Sequence, residues 1–274
     1  MKVKFWGVRG SLPVPGATTI RMGGNTPCVE VRAGSELIIF DAGSGIRPLG
    51  DKLMKEGKPI KASLFMSHFH HDHIQGFPFF TPAFVPVTQL KIYAERKDKL
   101  SVKDIFEELM SAPFFPIPLA YLKSQLEFIE VKDKQEIAVS QSVKVITRRL
   151  QHPNGSIGYR VESTEKGKKR VFAYVSDNEQ PYEPDQNLID LSQNADAICL
   201  DTAYTPQEYE TRKGWGHSPW TLGVKLAKLA KVKRLVLFHH DPTHNDRDMM
   251  KILEEVRKEF KSTQLSYEGL ELSF

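Results

Sequence analysis

Apolar residues in the first third of the chain recur at every second position or in short unbroken runs, each closed by glycine or a polar turn. Lys2–Trp6, Cys28–Arg32, Glu36–Phe40 and Ser63–Met66 therefore read as strands, with a hairpin at Ala33, Gly34 and Ser35. From Ser101 to Glu127 the spacing turns helical, with Ile105, Leu109, Leu122 and Leu126 interrupted by the proline-rich, aromatic stretch Ala112–Pro118. This segment predicts a pair of helices, inserted over a site at about 101–127. Strand patterning returns at Val143–Thr147, Ile157–Glu162 and Arg170–Val175, the last two flanking the charged turn Glu165–Lys169. Two more short buried strands, Ala197–Leu200 and Arg234–Phe238, are separated by a helix over Trp220–Ala230, and a further helix covers Asp246–Phe260. No repeat or low-complexity linker breaks this order. The expectation is an α/β protein in which two sheets pack together with helices outside, as a single domain over 1–274.

Composition changes this picture little. Hydrophobic residues make up 40% and charged residues 26% of 274, values ordinary for globular proteins, so disorder and fibrous classes are excluded. The formal net charge of +4 leaves room for an anionic substrate, but lysine and arginine are spread along the chain rather than gathered into a nucleic-acid stripe. Cys28 and Cys199 sit in apolar strand runs and read as buried, reduced thiols. The N-terminus lacks the apolar core of a signal peptide and no apolar run reaches spanning length, so a cytoplasmic protein with no membrane partner is expected.

Chemistry concentrates in Ser67–His73, directly after a buried strand. His68, His70, Asp72 and His73 place four potential ligands within six residues. In extended backbone, residues two apart point the same way, so His68 and His70 converge on one ion while the following turn aims Asp72 and His73 at another. Imidazole with carboxylate suits zinc, iron or manganese, whereas a purely structural zinc site more often uses cysteine.

The pattern His68-x-His70-x-Asp72-His73 resembles the signature of the metallo-β-lactamase superfamily, and later motifs of that family follow in order. His152, in Gln151-His152-Pro153-Asn154-Gly155, matches the third; the Gly158-Tyr159-Arg160 strand after it resembles the phosphodiesterase and tRNase Z branch. Asp177, at the end of an apolar strand, matches the fourth. His239 matches the fifth, with its neighbour His240 as the competing choice. The resemblance implies the metallo-β-lactamase fold, a four-layer αββα sandwich of two mixed β-sheets flanked by helices. It implies that His68, His70 and His152 hold one divalent ion and that Asp72, His73 and His239 hold another. Asp177 bridges both, with zinc first and manganese or iron as alternatives. Two ions about 3.5–4 Å apart share a water, lower its pKa and stabilise the charge that develops on the substrate. Asp72 doubles as the residue that orients this nucleophile.

Further residues point to a branch. Asp201, an aspartate where tRNase Z relatives carry glutamate, and His217 resemble a pair that donates a proton to a leaving alkoxide. Asn25 and Thr26, in a glycine-rich opening that resembles members of the same branch, are candidate phosphate donors; a tight turn that closes the sheet is the other reading. Phe114, Phe115 and Pro116 offer a wall on which a base stacks, with plain packing or a homodimer contact as alternatives. Only a hairpin fits between His152 and Asp177, which leaves out the long tRNA-binding arm of many tRNase Z enzymes. The favoured reading is a phosphodiesterase for a small anionic phosphodiester, such as a cyclic nucleotide or ribose cyclic phosphate. A lactonase or thioester hydrolase and an RNA-processing nuclease are the alternatives, nucleic acid being the less favoured partner.

Overall fold

The computed structural model describes residues 1–180 and 182–274. Among the described residues, fourteen strands form two seven-stranded sheets. The first half of the chain supplies β1 (Lys2–Gly7), β2 (Cys28–Ala33), β3 (Glu36–Phe40), β4 (Lys61–Phe65), β5 (Gln89–Glu95) and β6 (Gln125–Val131). The second supplies β7 (Glu136–Ala138), β8 (Val143–Leu150), β9 (Ser156–Glu165), β10 (Lys168–Val175), β11 (Ala197–Asp201), β12 (Leu235–Phe238) and β13 (Thr263–Leu265), while β14 (Glu271–Ser273) returns to pair with β1. Sheet orders are β14-β1-β2-β3-β4-β5-β6 and β13-β12-β11-β10-β9-β8-β7.

Inward-facing residues from the two sheets form one core between them. Phe5, Val31, Phe40 and Phe65 of the first sheet meet Tyr159, Phe172, Tyr174 and Phe238 of the second. The rings of Phe40 and Tyr174 stack across this interface at 4.9 Å. Outside the first sheet lie α1 (Ile46–Lys55), the single turn α2 (His71–Ile74) and α3 (Val102–Leu109), which bury Leu49, Leu53 and Phe106 against Ile39, Leu64 and Ile92. Outside the second lie α4 (Gln186–Ser192), α6 (Trp220–Leu229) and α7 (Asp246–Glu259), with the one-turn α5 (Pro206–Tyr209) in the connection before α6. Leu188, Leu226 and Val256 fill the layer between those helices and the sheet. The four-layer αββα sandwich of two mixed β-sheets is therefore what the chain builds. Cys28 and Cys199 are buried and unpaired. Among the described residues, no helix is long and apolar enough to cross a membrane.

The expected pair of helices at 101–127 is half corrected. Ser101 caps α3 through a reciprocal capping box with Asp104, and α3 forms as expected. After the aromatic bend the chain makes only a short 3-10 turn at Leu119–Tyr121, then enters β6, which pairs with β5 in parallel. Leu126 and Phe128 alternate with exposed Gln125 and Glu127, a period of two that a window ending at Glu127 is too short to reveal. The segment is thus the crossover between two parallel strands, and Val102, Phe106, Met110 and Leu119 are buried in the layer outside the first sheet.

Topology also fixes where chemistry collects. β3, β4, β5 and β6 run parallel to one another. In the other sheet β10, β11 and β12 are parallel, and β8 shares their direction because both β8 and β10 are antiparallel to β9. The carboxyl ends of β4, β8, β10, β11 and β12 carry His68, His152, Asp177, Asp201 and His239 out into loops, the usual position of sites in sheets of this kind.

Candidate metal centre

Two groups of side chains that share Asp177 meet at that edge, and a third, Asp201, His217 and His239, adjoins them. His68, His70, His152 and Asp177 form one, and Asp72, His73, Asp177 and His239 form the other, each with donor atoms within 4.8 Å of one another. All seven expected ligands are brought together, from four segments of chain. Asp177 presents a different oxygen to each group. Its Oδ2 lies 3.6 Å from Nε2 of both His68 and His152, and its Oδ1 lies 3.0 Å and 3.1 Å from Nε2 of His73 and His239. Asp72 Oδ2 completes the second group, 3.1 Å from His73 Nε2 and 3.2 Å from His239 Nε2. His240 turns the other way, with Nε2 on Ser266 O at 2.9 Å, which separates it from its neighbour.

Backbone and buried polar groups outside the cluster aim these side chains. Asp41, fully buried at the end of β3, accepts from the Ser67 N–H at 2.7 Å, the Ser67 hydroxyl at 2.8 Å and the Tyr174 hydroxyl at 2.7 Å. Its Oδ2 also faces His73 Nδ1 at 2.8 Å, which leaves His73 Nε2 for the cluster. His152 Nδ1 is held in the same manner by Gly216 O at 2.8 Å. Ser11 donates its backbone N–H to Asp72 Oδ2 at 2.9 Å. Gly10 lets that loop approach, since a Cβ there would meet His239 Nδ1 at 2.3 Å.

The donor set fits divalent cations. Burial and the neighbouring His73 push the His68 imidazole well below its ordinary pKa, so it is neutral, and its Nε2 is buried without a hydrogen-bond partner. A neutral imidazole with an unshared lone pair is the form that ligates metal. Burial opposes charge on Asp177 and Asp72, yet the surrounding imidazoles hold both carboxyls well below their usual range. His73 Nε2 lies between carboxylate oxygens of Asp72 and Asp177 without hydrogen-bond geometry to either, an arrangement that a shared cation satisfies.

Beside the cluster, His217 Nδ1 lies 2.8 Å from Asp201 Oδ2, and its ring stacks on His239 at 4.9 Å. Burial works against charge on His217, but Asp201 more than offsets it and the pKa is pushed up to about 9. Asp201 is fully buried and is fixed in turn by the Asn178 and Ala203 N–H groups, at 3.2 Å and 3.1 Å.

Asn25 and Thr26 are not drawn into the cluster. Asn25 Nδ2 donates to Glu268 at 3.0 Å and its Oδ1 accepts from Ser44 at 2.9 Å, while buried Thr26 accepts the Ser44 N–H at 2.8 Å. Both side chains tie the glycine-rich opening to α1 and to the chain before β14, the turn-closing alternative. Sequence reasoning missed Asp41, Ser11 and Glu179. Asp41 alone left a signal, as an acidic residue where an apolar strand ends.

Fold and site together define a class, the metal-dependent hydrolases of the metallo-β-lactamase fold. The chain belongs to the beta-lactamase superfamily, whose domain model it matches over residues 37–240. Ribonuclease Z of Archaeoglobus fulgidus is 24% identical over an alignment that covers 100% of this chain and 98% of the relative. The metallo-β-lactamase fold protein YhfI of Bacillus subtilis superposes with a TM-score of 0.74 at 19% identity, over 99% of this chain and 98% of that one. A diphosphatase of the PhnP family gives 0.71 at 19% identity, over 100% and 97%.

Proposed function

We propose that the chain is a dinuclear metal-dependent phosphodiesterase acting on a small phosphodiester such as a cyclic nucleotide or a ribose cyclic phosphate. His68, His70 and His152 hold one ion, Asp72, His73 and His239 the other, and Asp177 both. Zinc is the first choice, with manganese or iron as alternatives. When bound, such ions lower the pKa of a water and neutralise charge building on the phosphoryl oxygens.

The observation that carries this reading is the His217–Asp201 pair, an imidazole held 2.8 Å from a buried carboxylate and stacked against His239 of the cluster. When the phosphorus–oxygen bond breaks, its electron pair leaves with an alkoxide, which takes up a proton; His217 is placed to give it. A thioester, which expels a stable thiolate, has less need of such a donor. Asp72, held by Ser11, accepts a hydrogen bond from the attacking water and orients it. A cleft of about 550 Å³ opens from His68 and His70, of a size suited to a nucleotide-scale ligand. Arg96, Lys97 and Arg149 in its wall outnumber Glu95 and Asp98, which favours an anion. Between His152 and Asp177 stands only the β9–β10 hairpin, which favours a small substrate.

A second reading, cleavage of an RNA phosphodiester, is supported by the end-to-end match with an archaeal ribonuclease Z. The test is a panel of bis(p-nitrophenyl) phosphate, cyclic nucleotides, an RNA with a 3′ extension, lactones and thioesters, each with zinc, manganese or iron. Turnover of the diesters with weak carbonyl hydrolysis is expected. Carbonyl turnover without diester turnover would overturn the proposal.

A further inference from the structure

Glu179 lies two residues beyond Asp177 and has no part in the reading above, yet its carboxylate has three donors. Its Oε1 accepts the Gly214 N–H at 2.7 Å and the Tyr209 hydroxyl at 2.9 Å, and its Oε2 accepts the Gly216 N–H at 2.6 Å. Its own N–H donates to Gln151 O at 2.7 Å, beside His152. One residue thus ties the end of β10 to two loops.

The turn it grips is built on two glycines. Gly214 and Gly216 both have left-handed φ values, +85° and +91°, and the Trp215 side chain between them is 62% exposed. Glycine is the most mobile of residues, so a rigid turn built on two of them needs an external anchor. A carboxylate facing two backbone N–H groups supplies charge-assisted bonds, about twice as strong as neutral ones.

The turn carries two residues of the site. Gly216 O accepts from His152 Nδ1, which fixes the tautomer that leaves His152 Nε2 to the cluster. Gly216 also packs so closely on that imidazole that a Cβ would meet Nδ1 at 2.3 Å. The next residue is His217. Flanking contacts extend the clamp, since Gln180 N–H donates to Ser218 Oγ at 3.1 Å and that hydroxyl donates to Asn178 O at 2.6 Å.

We propose that Glu179 is a positioning residue that locks the 214–217 turn, and through it sets both the proton donor His217 and the orientation of His152. It touches no reacting atom. The proposal rests on the phosphodiesterase reading for its catalytic consequence, whereas its structural half stands on the hydrogen bonds alone.

Glu179→Gln keeps the shape of the side chain but turns an N–H group towards one of its donors; Glu179→Ala removes all three acceptors. In the metal-free protein, amide hydrogen exchange at Gly214 and Gly216 should quicken at least tenfold in both variants while β10 and β11 stay protected. With zinc, kcat for a dinucleotide, whose alkoxide needs a proton, should fall at least tenfold more than kcat for bis(p-nitrophenyl) phosphate, with KM little changed. Unchanged exchange at both glycines, or equal slowing of the two substrates in variants that keep the wild-type zinc content, would overturn the proposal. A wild-type protein that cleaves neither diester would instead refute the phosphodiesterase reading and leave the exchange result to decide the role of Glu179.

Discussion

At the scale of single residues, Asp177 is where the two ligand groups meet. Each of its oxygens addresses a different set of imidazoles, and among the described residues no other side chain belongs to both groups. Asp177→Ala should therefore lose both metals and all activity together, as metal analysis of the purified variant would show; retention of two ions per chain would mean that another group bridges. On the proposed reading His217 gives a proton and holds no ion, so it makes a different prediction. His217→Ala should keep its metals but slow cleavage of an alkyl diester by roughly 10²–10⁴-fold, the usual worth of general acid catalysis, with a much smaller effect on a p-nitrophenyl ester. Equal slowing of both substrates would remove it from that role. These residues were legible in the sequence because ligands must be histidine or aspartate and must leave strand ends. Asp41 and Glu179 were far less so. Their partners are backbone N–H groups, a serine, two tyrosines and an imidazole from segments remote along the chain, and nothing in local spacing records such contacts.

At the scale of elements, nine strands were read to within three residues at each end, β5, β7, β13 and β14 were not read at all, and β6 was taken for helix because its period was sampled too briefly. β6 shares its first residues with a stretch whose leucines also fit a helix, and only Phe128 to Val131 break the tie. β9 shows a subtler device. Glu162 is 9% exposed in a strand whose first eight residues are all buried. Burial raises its pKa, but Lys169 and Arg160 more than offset this and hold the carboxyl below its ordinary 4.5. A depressed folded pKa means stability present above the unfolded value and lost as pH falls through the folded one. Glu162→Gln should thus be less stable than wild type at pH 7 by roughly 1 kcal/mol, about the net worth of a hydrogen bond. The gap should shrink once the pH drops below 4.5. Urea unfolding at neutral pH and well below that value measures both, and a gap that persists in acid would assign the loss to packing instead.

At the scale of the molecule, the centre joins two sheets that share no strand. The first sheet's β4 leads into His68, His70, Asp72 and His73, while His152, Asp177 and His239 follow strands of the second. Tyr174 links core and site directly, since its ring stacks on Phe40 inside the sandwich and its hydroxyl reaches Asp41. On the proposed reading, ions held by both halves would bind the folded chain and not the unfolded one, and so would act as a cross-brace. At free zinc about 100-fold above Kd, each site contributes roughly 2.7 kcal/mol of stability, and two together raise Tm by on the order of 10 °C in a chain of this length. Chelation should remove that increment and zinc should restore it. The bridging carboxylate decides whether the brace works as a unit: Asp177→Ala should show a much smaller zinc-dependent rise in Tm than wild type. A rise as large as that of wild type would place the stabilising ions somewhere other than between the sheets.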